Sequence, residues 1–331
     1  MKVLWLRDGK AGHRNKAKGL LRALGQLTDI DTAEYDLEWR LPIIRHLLVR
    51  LSSNGLSLPV YWFLKGMPDI SGVDLILSSG GATQWPNAAL AHQYCLKNVF
   101  LGSIRKMPAS AFDLVASHDP QFDERPFFQF DLIPSLVSPD LAKGAAKEAV
   151  GLHSKDWGLL IGGDGEGLKW SSCDFDRMVE RFLEQAAQSD VRVWVATSRR
   201  TPPEVETRVM ERFEESGLLR GACWFHCKKT LSLSLLTMYG ACRYLVVSAD
   251  SMSMIHEAVS SGNRTIATFP SGATLNNRSL VNQLKLESLG YVHRQDLNSF
   301  VIANSTPPGG WKEFDCDPAL PLAREVLAVL D

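Results

Sequence analysis

Short apolar runs alternate with longer amphipathic stretches along the chain, the pattern of buried parallel strands joined by crossover helices. Val3–Leu6 reads as a first strand and the polar, glycine-bearing turn Arg7–His13 follows it. A helix is predicted from about Asn15 to about Leu27. Asp74–Ser78 is a second apolar run, ending in Ser79-Gly80-Gly81-Ala82-Thr83 and leading to a helix that carries Ala88, Ala89, Leu90 and Ala91. Asn98–Leu101 and Leu114–Ser117 complete a sheet for the first half.

The pattern restarts after about Val150. Gly158–Ile161 runs into Gly162-Gly163-Asp164-Gly165-Glu166-Gly167, with a helix over Asp176–Ala187. Arg192–Ala196 leads to Thr197-Ser198-Arg199-Arg200-Thr201-Pro202-Pro203, whose prolines suit a helix start. A strand over Ala222–His226, a helix from about Leu231 to Tyr239 and a strand over Tyr244–Val247 come next. Ser248-Ala249-Asp250-Ser251-Met252-Ser253-Met254 then opens another helix. Thr265–Phe269, Leu280–Leu289 and the tail Leu320–Leu330 read as strand, helix and helix. The expectation is therefore an α/β protein of two Rossmann-like domains facing a cleft. Residues 1–148 form the first domain, 149–316 the second, and 317–331 a tail helix packing back near the first. The boundary is placed in the Ala/Gly/Lys-rich stretch Lys143–Lys155.

Length supports the count: 331 residues is about twice a typical domain. Hydrophobic residues make up 45% and charged residues 22%, enough apolar material for two cores. Lys plus Arg is 36 against 37 acidic residues, a formal charge of −1, which argues against nucleic acid as a partner. The cysteines are scattered, and Cys223, His226 and Cys227 lack a convincing fourth zinc ligand, so no metal is expected. Reduced thiols suit a cytosolic protein. The opening apolar run is short for a signal peptide, and no run is long enough for a membrane-spanning helix. One segment qualifies the cytoplasmic expectation. From Trp39 to Leu51, Arg40, Arg45 and Arg50 accompany Ile43, Ile44, Leu47 and Leu48, a composition suited to an anionic membrane surface if it does not simply pack on its own core.

In a parallel sheet the loops after strand C-termini share one edge, where ligands bind. The unusual loops here all follow strands. Gly162–Gly167 could curl N–H groups round a phosphate, or be a tight structural turn whose Asp164 and Glu166 fix the loop or meet sugar hydroxyls. Asp250 or Ser251 could cap the next helix; Ser251 and Ser253 equally offer hydroxyls beside free helix N–H groups, with Glu257 in reach of a ribose. Arg199 and Arg200 suit a phosphate or carboxylate, or form a solvated pair. In the first half, Asp8 and His13 flank Gly9 and Gly12, a pairing that can take a proton from an attacking hydroxyl, and Lys10 can meet an anion. Gly80 and Gly81 allow a close backbone approach to a ligand.

Together these loops resemble the mitochondrial-fission protein family of plants and its bacterial members, a GT-B-like family. The matching segments are Trp5-Leu6 with Asp8–His13, Ile161–Asp164, Thr197–Pro202, and Asp250–Met254 with Glu257, Ala258 and Gly262, in order over nearly the whole chain. More widely, the chain is similar to GT-B glycosyltransferases such as the one that adds GlcNAc to a lipid-linked peptidoglycan precursor. The likeness lies in Gly9, Gly12 and His13 after the first strand, in Gly80-Gly81, and in Glu257 as the ribose-binding glutamate. It departs at Asp250-Ser251-Met252-Ser253, which replaces a serine-and-glycine loop, and in a first loop thinner in glycine. The resemblance implies a glycosyltransferase of cell-envelope polysaccharide synthesis, with no metal and no cofactor. A nucleotide-sugar donor would be held by Gly162, Gly163, Asp164, Gly165, Glu166, Arg199, Arg200, Asp250, Ser251, Ser253 and Glu257. A glycan or lipid-linked acceptor would lie near Lys10, Gly12, Gly80 and Gly81, with His13 or Asp8 as base. A recruitment scaffold, as in the plant relatives, and a nucleotide-sugar epimerase or hydrolase are the alternatives.

Overall fold

The computed structural model describes residues 1–44, 47–48, 58–104, 107–118, 125–150, 155–227, 234–313 and 316–330. Its strands are β1 (Lys2–Arg7), β2 (Asp31–Asp36), β3 (Leu75–Ser79), β4 (Lys97–Leu101), β5 (Leu114–Ser117), β6 (Phe127–Gln129), β7 (Asp156–Ile161), β8 (Val193–Thr197), β9 (Leu219–Cys223), β10 (Cys242–Ser248), β11 (Arg264–Phe269) and β12 (Val292–Asp296). The helices are α1 (Ala11–Gly25), α2 (Gln84–Tyr94), α3 (Pro139–Val150), α4 (Ser172–Gln188), α5 (Pro203–Glu215), α6 (Leu235–Ala241), α7 (Met252–Ser260), α8 (Asn277–Ser288) and α9 (Leu320–Leu330).

Two compact units result, Met1–Leu136 with Pro318–Asp331 and Val137–Asp317. The first is built on a parallel sheet in the order β2-β1-β3-β4-β5-β6. Alternate residues of its inner strands serve two cores. Val3, Trp5, Leu75, Leu77, Val99 and Leu101 pack with α1 and with Leu322, Ala323 and Val326 of α9. Leu4, Leu6, Ile76 and Phe100 face the other way, onto Trp85 and Leu90 of α2 and onto Val60 and Leu64. Covering both faces is what lets these strands be apolar throughout. In the Trp39–Leu51 segment Pro42–Ile44 forms a short 3-10 turn, and residues 45–46 and 49–57 lie outside the described residues.

The second unit holds the parallel sheet β12-β11-β10-β7-β8-β9. Its first helix, α3, runs through most of the stretch read as a boundary, so the chain divides ahead of that helix, at Leu136/Val137. The physical reason is close packing of α3 on α6. A Cβ at Gly240 would lie 1.9 Å from the Ala142 carbonyl oxygen, so glycine there lets the two backbones meet. The helix α4 starts with a capping box, in which the Ser171 hydroxyl accepts the Asp174 N–H and the Asp174 carboxylate accepts the Ser171 N–H.

Strand order fixes where ligands can be held. From β1 the first sheet proceeds one way to β2 and the other way to β3, so the order reverses between β1 and β3. In the second sheet it reverses between β7 and β10. A crevice opens at such a reversal because the crossover helices on its two sides lie on opposite faces. The loops after β1, β3, β7 and β10 are Asp8–Lys10, Gly80–Thr83, Gly162–Ser171 and Ala249–Ser251, the segments that carry the candidate chemistry.

Candidate functional site

In the first unit, Asp8 and His13 form a hydrogen-bonded pair, with His13 Nδ1 2.8 Å from Asp8 Oδ2. The Asp8 carboxylate is 4% exposed, whereas His13 keeps 30% of its side chain accessible. Asp8 Oδ1 also accepts the Lys10 N–H at 3.2 Å. With Nδ1–H donated to Asp8, the Nε2 lone pair is left to accept a proton, the geometry a general base requires. Gly80 completes the arrangement from the next strand. Its φ is +99°, and a Cβ there would lie 2.1 Å from His13 Nδ1 and 2.6 Å from Asp8 Oδ2. Gly80 is thus the space in which the pair sits. Gly81 is exposed and has nothing near the position of its absent Cβ. A pocket at this edge is lined by Arg7, Asp8, Gly9, Lys10, His13 and Arg14. Of its cations, Arg7 is paired with Glu34 and Asp36, while Lys10 lies exposed at the start of α1.

In the second unit the glycine loop closes on the protein itself. The Gly162 N–H donates to Ser248 Oγ at 2.7 Å, the Gly163 N–H to Asp250 Oδ2 at 3.1 Å and the Gly165 N–H to the Leu168 carbonyl at 3.1 Å. These three donors, read as offered to a phosphate, are engaged internally. Asp164 accepts the Trp170 N–H and the Lys169 ammonium, each at 2.9 Å, and both hold its carboxyl below the usual carboxylate range. Glu166 accepts from Ser279 and Asn276 of the α8 start. Burial works against its ionisation, but these bonds and the charges of Arg200 and Arg278 win, so its carboxyl is also held low. Both acids therefore fix the loop.

Beneath that loop lies Asp250, fully buried. Its Oδ2 pairs with Arg200 Nη2 at 2.8 Å, while Oδ1 has no hydrogen-bond partner. Burial pushes its carboxyl up to about 6 despite the lowering effects of Ser248 and Arg200. A Cβ at Gly162 would lie 2.2 Å from Asp250 Oδ2, and one at Gly165 would lie 2.6 Å from Arg200 Nη1. The glycines are there so that the loop can wrap the ion pair. The two arginines consequently differ: Arg200 is turned inward and Arg199 is exposed. Ser251 occupies the capping position of α7, but its hydroxyl accepts no N–H of the helix and lies 3.5 Å from Ser253 Oγ. Glu257, one turn further along α7, is half-buried; burial raises its carboxyl, and the Tyr239 hydroxyl lies 3.4 Å from Oε2.

Two supporting residues escaped sequence reading. Thr201 is buried and donates to the carbonyls of Ile161 and Gly162, tying the arginine loop to the glycine loop. Glu206, on α5, accepts the backbone N–H groups of Phe225, His226 and Cys227 and so anchors the segment after β9. The His226 ring bonds the Thr201 carbonyl at 2.9 Å. Neither residue type marks such a role in a sequence, because each acts on backbone groups remote in the chain.

The chain resembles known structures across its whole length. UDP-GlcNAc 2-epimerase from Methanocaldococcus jannaschii matches 99% of this chain and 100% of its own at 12% identity, with a TM-score of 0.57. MurG of Acinetobacter baumannii matches over 100% and 91% at 10% identity, TM-score 0.48. The ADP-heptose lps heptosyltransferase II of E. coli matches over 100% and 98% at 13% identity, TM-score 0.46. The likeness to the epimerase structure, with the two parallel α/β sheets and their alternating helices, shows the GT-B-like fold. No curated protein sequence matches the chain. Residues 11–327 match the family described as Mitochondrial fission ELM1, so the chain belongs to that family.

Proposed function

We propose that the protein is a metal-independent GT-B-type glycosyltransferase that takes a sugar from a nucleotide-activated donor. The observation that carries this reading is the pair of loop sets at the two points of strand reversal, one presenting a base and the other a cation. The second unit holds the donor: exposed Arg199, the accessible edge of Arg200 beside its ion pair with Asp250, and the start of α7 with Ser251 and Ser253 meet the diphosphate, and Glu257 takes the ribose hydroxyls. The internally bonded loop Gly162–Glu166 and buried Asp250 shape that site from beneath. Helix N–H groups and guanidinium charge can stabilise the leaving diphosphate without a metal. The first unit holds the acceptor, near Lys10, Gly12 and Gly81, where His13 oriented by Asp8 draws the proton from the attacking hydroxyl.

The test is nucleotide-dependent stabilisation of the full chain. A ligand that binds the folded state alone stabilises it by about 3 kcal/mol at a hundredfold excess over Kd. UDP and related nucleoside diphosphates are expected to raise Tm, and both Glu257→Ala and the Arg199→Ala/Arg200→Ala double variant to abolish the shift. Shifts of unchanged size in both variants remove the donor-site assignment.

The acceptor we infer is a glycan or a lipid-linked intermediate of cell-envelope synthesis, met at the inner face of the membrane. Among the described residues no helix is long and apolar enough to cross a membrane. The support is a set of exposed apolar side chains on the first unit, with Ile43 91%, Leu41 63%, Trp62 55%, Leu47 52% and Tyr61 50% exposed. Arg45 and Arg50 of the expected basic face lie outside the described residues. Arg40 is described, with its Nε donating to the Leu64 carbonyl at 2.7 Å. Co-sedimentation with anionic vesicles is expected at low salt and to weaken at high salt or when Arg40, Arg45 and Arg50 become glutamate. Wild-type protein that stays in the supernatant over such vesicles points to a soluble acceptor instead.

A further inference from the structure

Asp250 stands out as a buried charge that no ligand can reach. It is fully buried, its Oδ2 is shared between the Arg200 guanidinium and the Gly163 N–H, and its Oδ1 is without a partner. Arg200, by contrast, keeps 31% of its side chain accessible. Its Nη1 lies against Gly165, within 2.6 Å of where a Cβ would be, so one end of the guanidinium is at the loop and the other is on Asp250. The two groups form a stack of carboxylate below and cation above. Anything anionic that approaches Arg200 competes with Asp250 for the same charge.

We propose that Asp250 is a positioning residue that aims Arg200 at the anionic part of a nucleotide, and that it takes up a proton from solvent when that anion draws Arg200 away. The proposal rests on the donor-site reading above and adds to it the exchange of a counter-ion for a proton. One O–H bond forms on the Asp250 carboxylate as its ion pair with Arg200 breaks, and no other covalent bond changes.

The electrostatics set the direction. The charged and titratable groups on the surrounding elements are Asp164, Glu166 and Lys169 after β7, Arg199 and Arg200 after β8, His256 and Glu257 on α7, and Arg278, Lys285 and Glu287 on α8. Asp164 is turned to Lys169, Glu166 to Asn276 and Ser279, Glu257 to Tyr239, and the buried His256 ring to Asn282 at 3.1 Å. Arg200 is the cation in ion-pair contact with Asp250. Even with that cation in place, burial holds the carboxyl up at about 6, so the unliganded group is ionised at neutral pH by a narrow margin. Withdrawing the guanidinium and placing phosphate charge nearby both favour the neutral acid. The neutral acid also suits its surroundings, since an uncompensated buried carboxylate is costly.

The experiment uses the full chain, UDP as the probe, and two readouts. Calorimetric titration near neutral pH, in buffers of different ionisation enthalpy, gives the protons exchanged on binding. Wild type is expected to take up about one proton more than Asp250→Asn, in which the proton's own contribution from the nucleotide cancels. Carboxyl-carbon NMR of the aspartates should show Asp250 moving from the ionised to the protonated position as UDP saturates the protein. Should Asp250→Asn not fold, Arg200→Ala replaces it: removal of the counter-ion is expected to leave Asp250 protonated before any ligand is added. UDP that binds while Asp250 stays ionised overturns the proposal and leaves the donor site standing. UDP that does not bind, or that binds Arg200→Ala as tightly as wild type, takes away the donor-site reading and the proposal together.

Discussion

Replacing His13 with alanine is expected to lower turnover by about two to four orders of magnitude, the usual worth of a positioned general base, while leaving nucleotide binding intact. The reason is geometric. Asp8 holds the Nδ1 side of the ring at 2.8 Å, which orients it, so that in the proposed role Nδ1–H is donated to Asp8 and Nε2 takes the proton. Gly80→Ala should come close to the same loss without touching either side chain. Its Cβ would enter the space now filled by His13 Nδ1, at a φ of +99° that alanine adopts poorly. Nucleotide-dependent thermal stabilisation checks that the donor site survives, and release of free nucleoside diphosphate in the presence of acceptor measures turnover. Activity retained in His13→Ala but lost in Asp8→Ala exchanges the two roles. Activity retained in both makes the loop structural.

Asp250 leads to a second large effect, in the absence of any ligand. Its carboxyl titrates near 6 in the folded protein against an ordinary value of 3.8. Between those values the native state binds more protons than the unfolded chain, so the contribution of this group to stability is complete below the lower one and is lost as pH rises through the higher one. A shift of this size corresponds to about 3 kcal/mol in all. Of this, about 2 kcal/mol falls between about pH 4.5 and about pH 7, which denaturant titrations at the two pH values can resolve. The difference in unfolding free energy between wild type and Asp250→Asn is expected to move by that amount, against wild type, as pH rises. Other carboxylates cancel in the comparison. A difference that stays constant over the window shows that Asp250 does not titrate there.

These effects come from residues that the sequence placed in the right loops but could not connect. Asp8 lies in the loop after β1 and His13 in the first turn of α1, whereas Gly80 opens the loop after β3. The Asp8–His13 contact is local, and the pairing of β1 with β3 is what brings Gly80 against it. Asp250 read as a cap or a donor contact because it precedes a helix. Its depth beneath the 162–167 loop follows from β10 lying beside β7, a pairing between distant segments. The glycine loop itself read as a phosphate cradle because glycines permit that conformation. Its N–H groups are instead engaged by Ser248, Asp250 and Leu168, two of them remote partners that the local pattern does not reveal.

The same division runs through the fold. Inner strands such as β1, β3, β7 and β10 were legible because both their faces are covered, which demands continuous apolar runs that no local alternative satisfies. Edge strands were not. β2, β6 and β12 lie at the margins of their sheets and carry polar residues such as Glu34, Gln129 and Arg294, so the hydrophobic pattern does not predict them; β9, the remaining edge, begins a few residues before the strand that the pattern predicts. An edge strand is held by hydrogen bonds on one side and is partly solvated, so its sequence need not be apolar and its existence depends on the neighbour it pairs with. The helix α3 was hidden in a similar way, by a composition of alanine, glycine and lysine that suits a linker as well as a helix packed closely on α6. Sequence alone thus determined the alternation of strands and helices, the parallel α/β class and the loops that hold the polar chemistry, since these follow from burial patterns local in the chain. Strand order, the edges, the unit boundary, the fit of Gly80 against the Asp8–His13 pair and the Arg200–Asp250 ion pair were decided by tertiary structure, because each depends on segments far apart whose partner is not written in either segment.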